Sequence, residues 1–243
     1  MKTTKAAKAE RRDRRAHRDD TKRRKRRRDG LQLTPLGGRM DPELMDRILE
    51  EAKAIDFDAP FVDLAPRILP VLKRVWHPYP PDMQLVNVTL PPGIPTGFCI
   101  DMGPAFSHIT SDLLERWQLD IPTLLTTALD NLRALVLVEP PVVQRFTHEG
   151  VDVMAIQGQG WGSALLLLPD VLGPIVGDRP RVLMAPTRNT VLSLPEDVDP
   201  AVAKLFWWAI TDGAHDALDV DPVLWTGSDV ASIWQEGASG LPN

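Results

Sequence analysis

Three clusters of residues have the types and spacing from which chemistry can be built. Cys99, Asp101 and His108 fall within ten residues of one another and offer a nucleophile, a carboxylate and a base. Only proximity supports that grouping: Cys99 alternates with Phe98 and Ile100 in a strand-like run, where a lone cysteine behaves as a small buried hydrophobe. Gly158, Gly160 and Gly162 surround Gln159 and Trp161, and such glycines let backbone amides approach a phosphate. The spacing is GxGxG, Ser163 stands where a dinucleotide fingerprint needs its last glycine, and no Lys-Ser/Thr follows. A structural corner is the favoured reading. His215, Asp216, Asp219 and Asp221 could ligate a divalent cation, but they straddle a helix end without the spacing of a ligand loop, so a solvated acidic segment is expected and no metal.

Arg188 lies in a turn between two apolar strands, and turn chemistry there asks only for Pro, Asn or Gly. A guanidinium in that place either grips a carboxylate or phosphate through its planar fork or forms an internal ion pair, with Asp101 and Asp170 as the candidate partners. The internal pair is the commoner outcome for such a residue. Arg23, Arg24, Lys25, Arg26, Arg27 and Arg28 form the one feature with a definite physical consequence. A cation run of this density binds polyanions by counterion release, without sequence preference, and the lack of interleaved aromatics argues against base stacking. The competing reading is a solubilising tail, or one that folds back on an acidic body.

The charge is divided unevenly. Residues 1–30 hold 15 Lys/Arg and 5 Asp/Glu, a net of +10, which leaves −15 on residues 31–243 of a total of −5. With 43% hydrophobic residues in 243, the chain has material for one large core or two modest ones. Its one cysteine allows no internal disulfide and leaves no CxxC pair for zinc, in keeping with a reducing cytosol. No run reaches the roughly 20 apolar residues of a membrane helix, and the N-terminus lacks the apolar core of a secretory signal. A cytoplasmic protein with no membrane span and no cofactor is therefore expected.

The elements that must position these residues follow from local patterns. Residues 1–30 have no apolar periodicity and predict a disordered basic tail, with 31–40 as a Pro/Gly linker. Asp41-Pro42 opens a helix carrying Leu44, Ile48, Leu49 and Ala52 on one face. A stripe of Phe61, Leu64, Ile68, Leu72, Val75 and Trp76 predicts a short helix with irregular ends, because Pro66 and Pro70 interrupt it. Alternation over 85–90 and 97–102 predicts a hairpin with a long proline-bearing loop. Residues 109–117 predict a short helix, and Asp120-Ile121-Pro122 opens the strongest helix, with Leu124, Leu125, Ala128, Leu129, Leu132 and Leu135 on its buried face. Strands at 142–148 and 151–156 flank Glu149-Gly150, and strands at 181–186 and 190–194 flank residues 187–189. Asp199-Pro200 opens a last helix, and 223–226 either adds a further strand or packs Trp225, with Trp234, against the body.

A strand pair followed by a helix thus recurs three times. The pattern predicts a soluble α+β domain over 41–243: an N-terminal helical part at 41–81, then antiparallel sheet built from repeated hairpin-helix units with helices packed on it.

Asn131-Leu132-Arg133, the run from Ala164 through Leu168 to Pro169-Asp170, and the segment from Ala185-Pro186-Thr187-Arg188 to Leu192 resemble the uncharacterised bacterial YtpQ-like proteins. The similarity covers residues 84–226 and extends to the order of elements. It implies the fold and brings no activity or cofactor with it. The chain differs in having Asn189 where Asp is common and in carrying the basic tail.

No arrangement in the chain demands one chemistry. The reading that fits most of it is a non-enzymatic binding or scaffold module whose tail contacts nucleic acid, an anionic surface or an acidic protein. The alternative is an enzyme or sensor with a pocket at the Gly158–Gly162 corner, gated by Trp161, in which Arg188, Asp101 and Gly160 hold a small anionic ligand.

Overall fold

A computed structural model describes residues 50, 53, 55–73, 84–103, 105–214 and 216–233. The tail, the linker and most of the helix expected from Asp41-Pro42 lie outside these residues. The described part is α+β, with two antiparallel sheets and helices packed against them.

The first sheet departs from the sequence expectation at its leading edge. The stripe that reads as one helix is a single helical turn, α1 (Phe61–Leu64), a 3-10 turn (Ala65–Arg67), and then strand β1 (Ile68–Leu72). Pro66 and Pro70 forbid a continued helix, whereas a strand with a neighbour on one side only among the described residues accommodates Pro70. That neighbour is β3 (Ile94–Asp101), with Ile68 opposite Ile100 and Leu72 opposite Thr96. On the far side of β3 lie β2 (Asn87–Leu90) and β4 (Phe106–His108). The expected long loop between β2 and β3 is only Pro91-Pro92-Gly93, closed by the Gly93 N–H donating to the Leu90 carbonyl at 2.7 Å.

Helix α2 (Ser111–Trp117) begins at Thr110, whose hydroxyl accepts from the Leu113 amide, and ends on Gln118 in the left-handed conformation. Helix α3 (Ile121–Val138) is capped by Asp120, whose carboxylate accepts from the Thr123 amide at 2.9 Å. Hydrogen bonds from Thr123, side chain first, hold the Asp120 carboxyl below its ordinary range. Leu124, Ala128, Leu132 and Val136 are its buried side chains, at the helical spacing the pattern predicts. By length and composition α3 is also the one helix among the described residues able to cross a membrane, a criterion that a core helix satisfies equally.

The second sheet has the order β10-β9-β7-β8-β6-β5 and is antiparallel throughout. Its strands are β5 (Val142–His148), β6 (Val151–Gln157), β7 (Arg181–Thr187), β8 (Thr190–Pro195), β9 (Val223–Trp225) and β10 (Val230–Ser232). Between β6 and β7 come a 3-10 segment (Gly162–Leu167) and α4 (Pro169–Val176); α5 (Pro200–Thr211) follows β8. The three hairpin-helix units are therefore present, divided between two sheets.

Two apolar clusters form the core, and α3 runs through both. Leu124 and Ala128 pack with Ile68, Phe98 and Ile100 of the first sheet. Leu132 and Val136 pack with Ile156, Leu165 and Val191 around the second. Asn131 fixes the helix between them, since its Nδ2 donates to the carbonyls of Ala65 (2.6 Å) and Ile68 (2.8 Å) at the start of β1.

Candidate functional site

The Gly-rich corner and the Arg188-Asn189 turn are one structure. Gly158 N–H donates to the Asn189 carbonyl (3.0 Å), Gly160 N–H to Asn189 Oδ1 (2.5 Å), Gly162 N–H to the Gly158 carbonyl (3.0 Å) and Ser163 N–H to the Arg188 carbonyl (2.9 Å). Asn189 Nδ2 in turn donates to Asp216 Oδ2 at 2.7 Å, and the Arg188 amide donates to the Asp216 carbonyl at 3.2 Å. Three of these amides, at the three glycines, are engaged by the chain itself, which agrees with the structural corner that the sequence favours over a phosphate cradle. Gly160 sits at φ +83°, a conformation that favours glycine. Gly162 has a different reason to be glycine: a Cβ there would overlap the Asn189 carbonyl. Trp161, expected to gate a pocket, is buried beneath the corner, with its ring against Gly158. Its Nε1 and the Ser163 hydroxyl are buried without a hydrogen-bond partner among the described residues.

From this turn the Arg188 side chain reaches the first sheet. Its guanidinium carbon stands 3.8 Å from the centroid of the Phe106 ring, a cation–π stack. In the β3–β4 ladder Cys99 is opposite His108 and Asp101 opposite Phe106. Opposed residues, and residues two apart on one strand, share a face, so these four side chains project to the same side of the sheet. The fold thus brings together Cys99, Asp101, His108 and Arg188, and ties Gly160 to the same turn through Asn189.

The electrostatics decide what this grouping can do. Burial pushes the Cys99 thiol up from 9.0 to about 12; the Arg188 charge opposes that rise, Asp101 adds to it, and a hydrogen bond from the Leu69 backbone opposes it. Desolvation wins, so at neutral pH Cys99 is a buried thiol and not the thiolate that nucleophilic chemistry requires. Asp101 is occupied locally: its Oδ1 accepts from the Gly103 amide (2.9 Å), and its carbonyl accepts from Arg67 (3.4 Å). Asp170, the other candidate partner for Arg188, pairs with Arg133 at 3.1 Å, and Arg133 also reaches Asp130 at 3.3 Å.

No group of three or more His, Cys, Asp or Glu able to hold a metal ion occurs among the described residues, which include Asp216, Asp219 and Asp221 but not His215. The Asn189–Asp216 latch is the feature that sequence reasoning misses. Its partners lie 27 residues apart, and only the turn preference of Asn marks the position beforehand. Arg23, Arg24, Lys25, Arg26, Arg27 and Arg28 lie outside the described residues. Comparisons with protein-family models, with curated proteins and with solved structures found no match.

Proposed function

We propose that this chain is a non-enzymatic binding module whose N-terminal segment contacts a polyanion through its phosphates or carboxylates. The observation that carries the reading is the run from Arg23 to Arg28, six consecutive cations within a segment of net charge +10. Such a run gains affinity by releasing the counterions condensed on a polyanion, and it reads no bases. Two features of the folded part support the non-enzymatic half of the proposal: burial keeps the Cys99 thiol protonated, and the amides of the Gly-rich corner serve Asn189 and Gly158.

The test is fluorescence anisotropy at fixed low salt with two duplexes of unrelated sequence. The full chain is compared with a variant in which Arg23 to Arg28 are all replaced by Gln. Equal weakening on both duplexes is expected. Unchanged affinity would remove the polyanion contact from this segment, and a loss confined to one duplex would place a base reader elsewhere in the chain.

A further inference from the structure

Strand β5 is the outer strand of the six-stranded sheet among the described residues, and it lacks the devices that usually keep an edge from pairing. Its seven residues match β6 one for one from Val142↔Gln157 to His148↔Val151 with no bulge. It contains no Pro or Lys. The charge of its one Arg, Arg145, is drawn off the edge, since its guanidinium donates to the Ile175 carbonyl of α4 at 3.0 Å. Beside the start of the strand, apolar side chains stand in the open: Leu137 is 84% exposed, Val138 80%, Val142 58% and Val143 38%.

The hairpin turn fixes which backbone groups point outward. Glu149 and Gly150 both have positive φ (51° and 82°), the signature of a two-residue turn closed by the hydrogen-bonded pair His148–Val151. Counting back by two, Gln144 and Phe146 bond to β6, while the N–H and C=O groups of Val143, Arg145 and Thr147 face away from it. That is a repeating set of donors and acceptors without a strand beside it among the described residues.

We propose that two copies of this chain pair antiparallel through β5 and join their six-stranded sheets into one continuous sheet. A two-fold axis perpendicular to the sheet restricts the register to those in which residue numbers of opposed residues sum to an even value. The register centred on Arg145 sets Val142 opposite His148 and leaves that exposed valine without an apolar partner. Centring on Gln144 avoids this. It places Val143 opposite Arg145 and Val142 opposite Phe146, each pairing occurring twice. Thr147 then donates to the carbonyl of Pro141, and because Pro141 has no N–H the Thr147 carbonyl at each end of the pair stays with solvent. Leu137 and Val138 come to lie against the partner's Glu149-Gly150 turn. The four exposed side chains present on the order of 400 Å² of apolar surface, about half of the ~800 Å² that each partner buries in a standard interface, and the strand edge supplies the rest. A second copy fits this surface because the arrangement is self-complementary, as a two-fold interface requires.

The experiment uses the full chain. Light scattering across a dilution series should give twice the 27.0 kDa of one chain at the concentrated end. Val143→Pro removes an outward N–H while leaving the β5–β6 ladder bonded, so its mass should halve with the far-ultraviolet spectrum unchanged. Gln144→Cys places two thiols at a non-hydrogen-bonded pair, where Cα atoms are about 4.5 Å apart, close enough for a disulfide. Mild oxidation should therefore crosslink this variant in high yield, whereas Thr147→Cys, opposite Pro141, should not crosslink. A wild-type chain that stays at 27.0 kDa throughout, a Val143→Pro variant that remains double, or a Gln144→Cys variant that crosslinks no better than Thr147→Cys would each overturn the proposal.

Discussion

Replacing Gly162 by Ala tests the claim that the Gly-rich corner is built to receive the Arg188-Asn189 turn. A Cβ on Gly162 falls 2.7 Å from the Asn189 carbonyl carbon and closer still to its oxygen, and both are backbone atoms that no rotamer change can move aside. Relief requires the corner and the turn to separate by about 1 Å, which lengthens the bonds from Gly158 to the Asn189 carbonyl, from Gly160 to Asn189 Oδ1 and from Ser163 to Arg188. At about 1 kcal/mol for each bond, with about 1–3 kcal/mol for overpacking, the expected loss is about 4–6 kcal/mol. Gly160→Ala provides the comparison. Its Cβ meets nothing within 4 Å, so only the strain of φ +83° is added. That strain costs about 1–2 kcal/mol. Urea unfolding followed by tryptophan fluorescence, together with thermal unfolding by circular dichroism, measures both variants. For a chain of this length the first substitution should lower Tm by roughly 10 °C or more and the second by a few degrees. A Gly162→Ala variant as stable as Gly160→Ala would refute the close approach.

Four further substitutions probe the core and the site. Leu124→Asp buries a carboxylate at the centre of the cluster under α3 and should cost several kcal/mol or prevent folding, whereas Thr126→Asp on the exposed face should unfold within about 0.5 kcal/mol of wild type in urea. Ser163→Ala removes a buried hydroxyl that has no partner among the described residues and should raise stability by up to about 1 kcal/mol; a loss of 1 kcal/mol or more would mean that the hydroxyl is hydrogen-bonded in the native protein. Cys99 gives a pH signature. Its pKa is raised on folding, so the stabilisation is complete below about pH 9 and is lost as pH rises toward 12. Stability measured against pH should therefore fall more steeply in that window for wild type than for Cys99→Ala, and parallel curves would contradict the burial argument.

What was legible in the sequence was local. Asp120, Pro122 and the spacing of Leu124, Ala128 and Leu132 predict α3 because cap and amphipathic face are written within one stretch of chain. Glu149-Gly150 between two alternating runs predicts the β5–β6 hairpin for the same reason. Ile68–Leu72 was misread because an apolar stripe interrupted by prolines suits a broken helix and an edge strand alike, and the partner that decides, β3, begins more than twenty residues later. The separation into two sheets was hidden by the same nonlocality. At the site, proximity along the chain pointed correctly to Cys99, Asp101 and His108 as neighbours. The burial of Cys99 was legible too, from its alternation with Phe98 and Ile100, whereas the Arg188 turn that closes on Phe106 comes from far along the chain and no local pattern encodes it.

The most direct test of the proposed polyanion contact is the salt dependence of duplex binding by the full chain. Each neutralised phosphate contributes roughly −0.9 to the slope of log affinity against log salt, so six engaged cations give a slope near −5. Asp19, Asp20 and Asp29 border the run and reduce that value in proportion to how far they offset its field. A steep slope of this order is expected for the wild-type chain, and a flattened one when Arg23 to Arg28 are Gln. Equal slopes for the two proteins would contradict the contact.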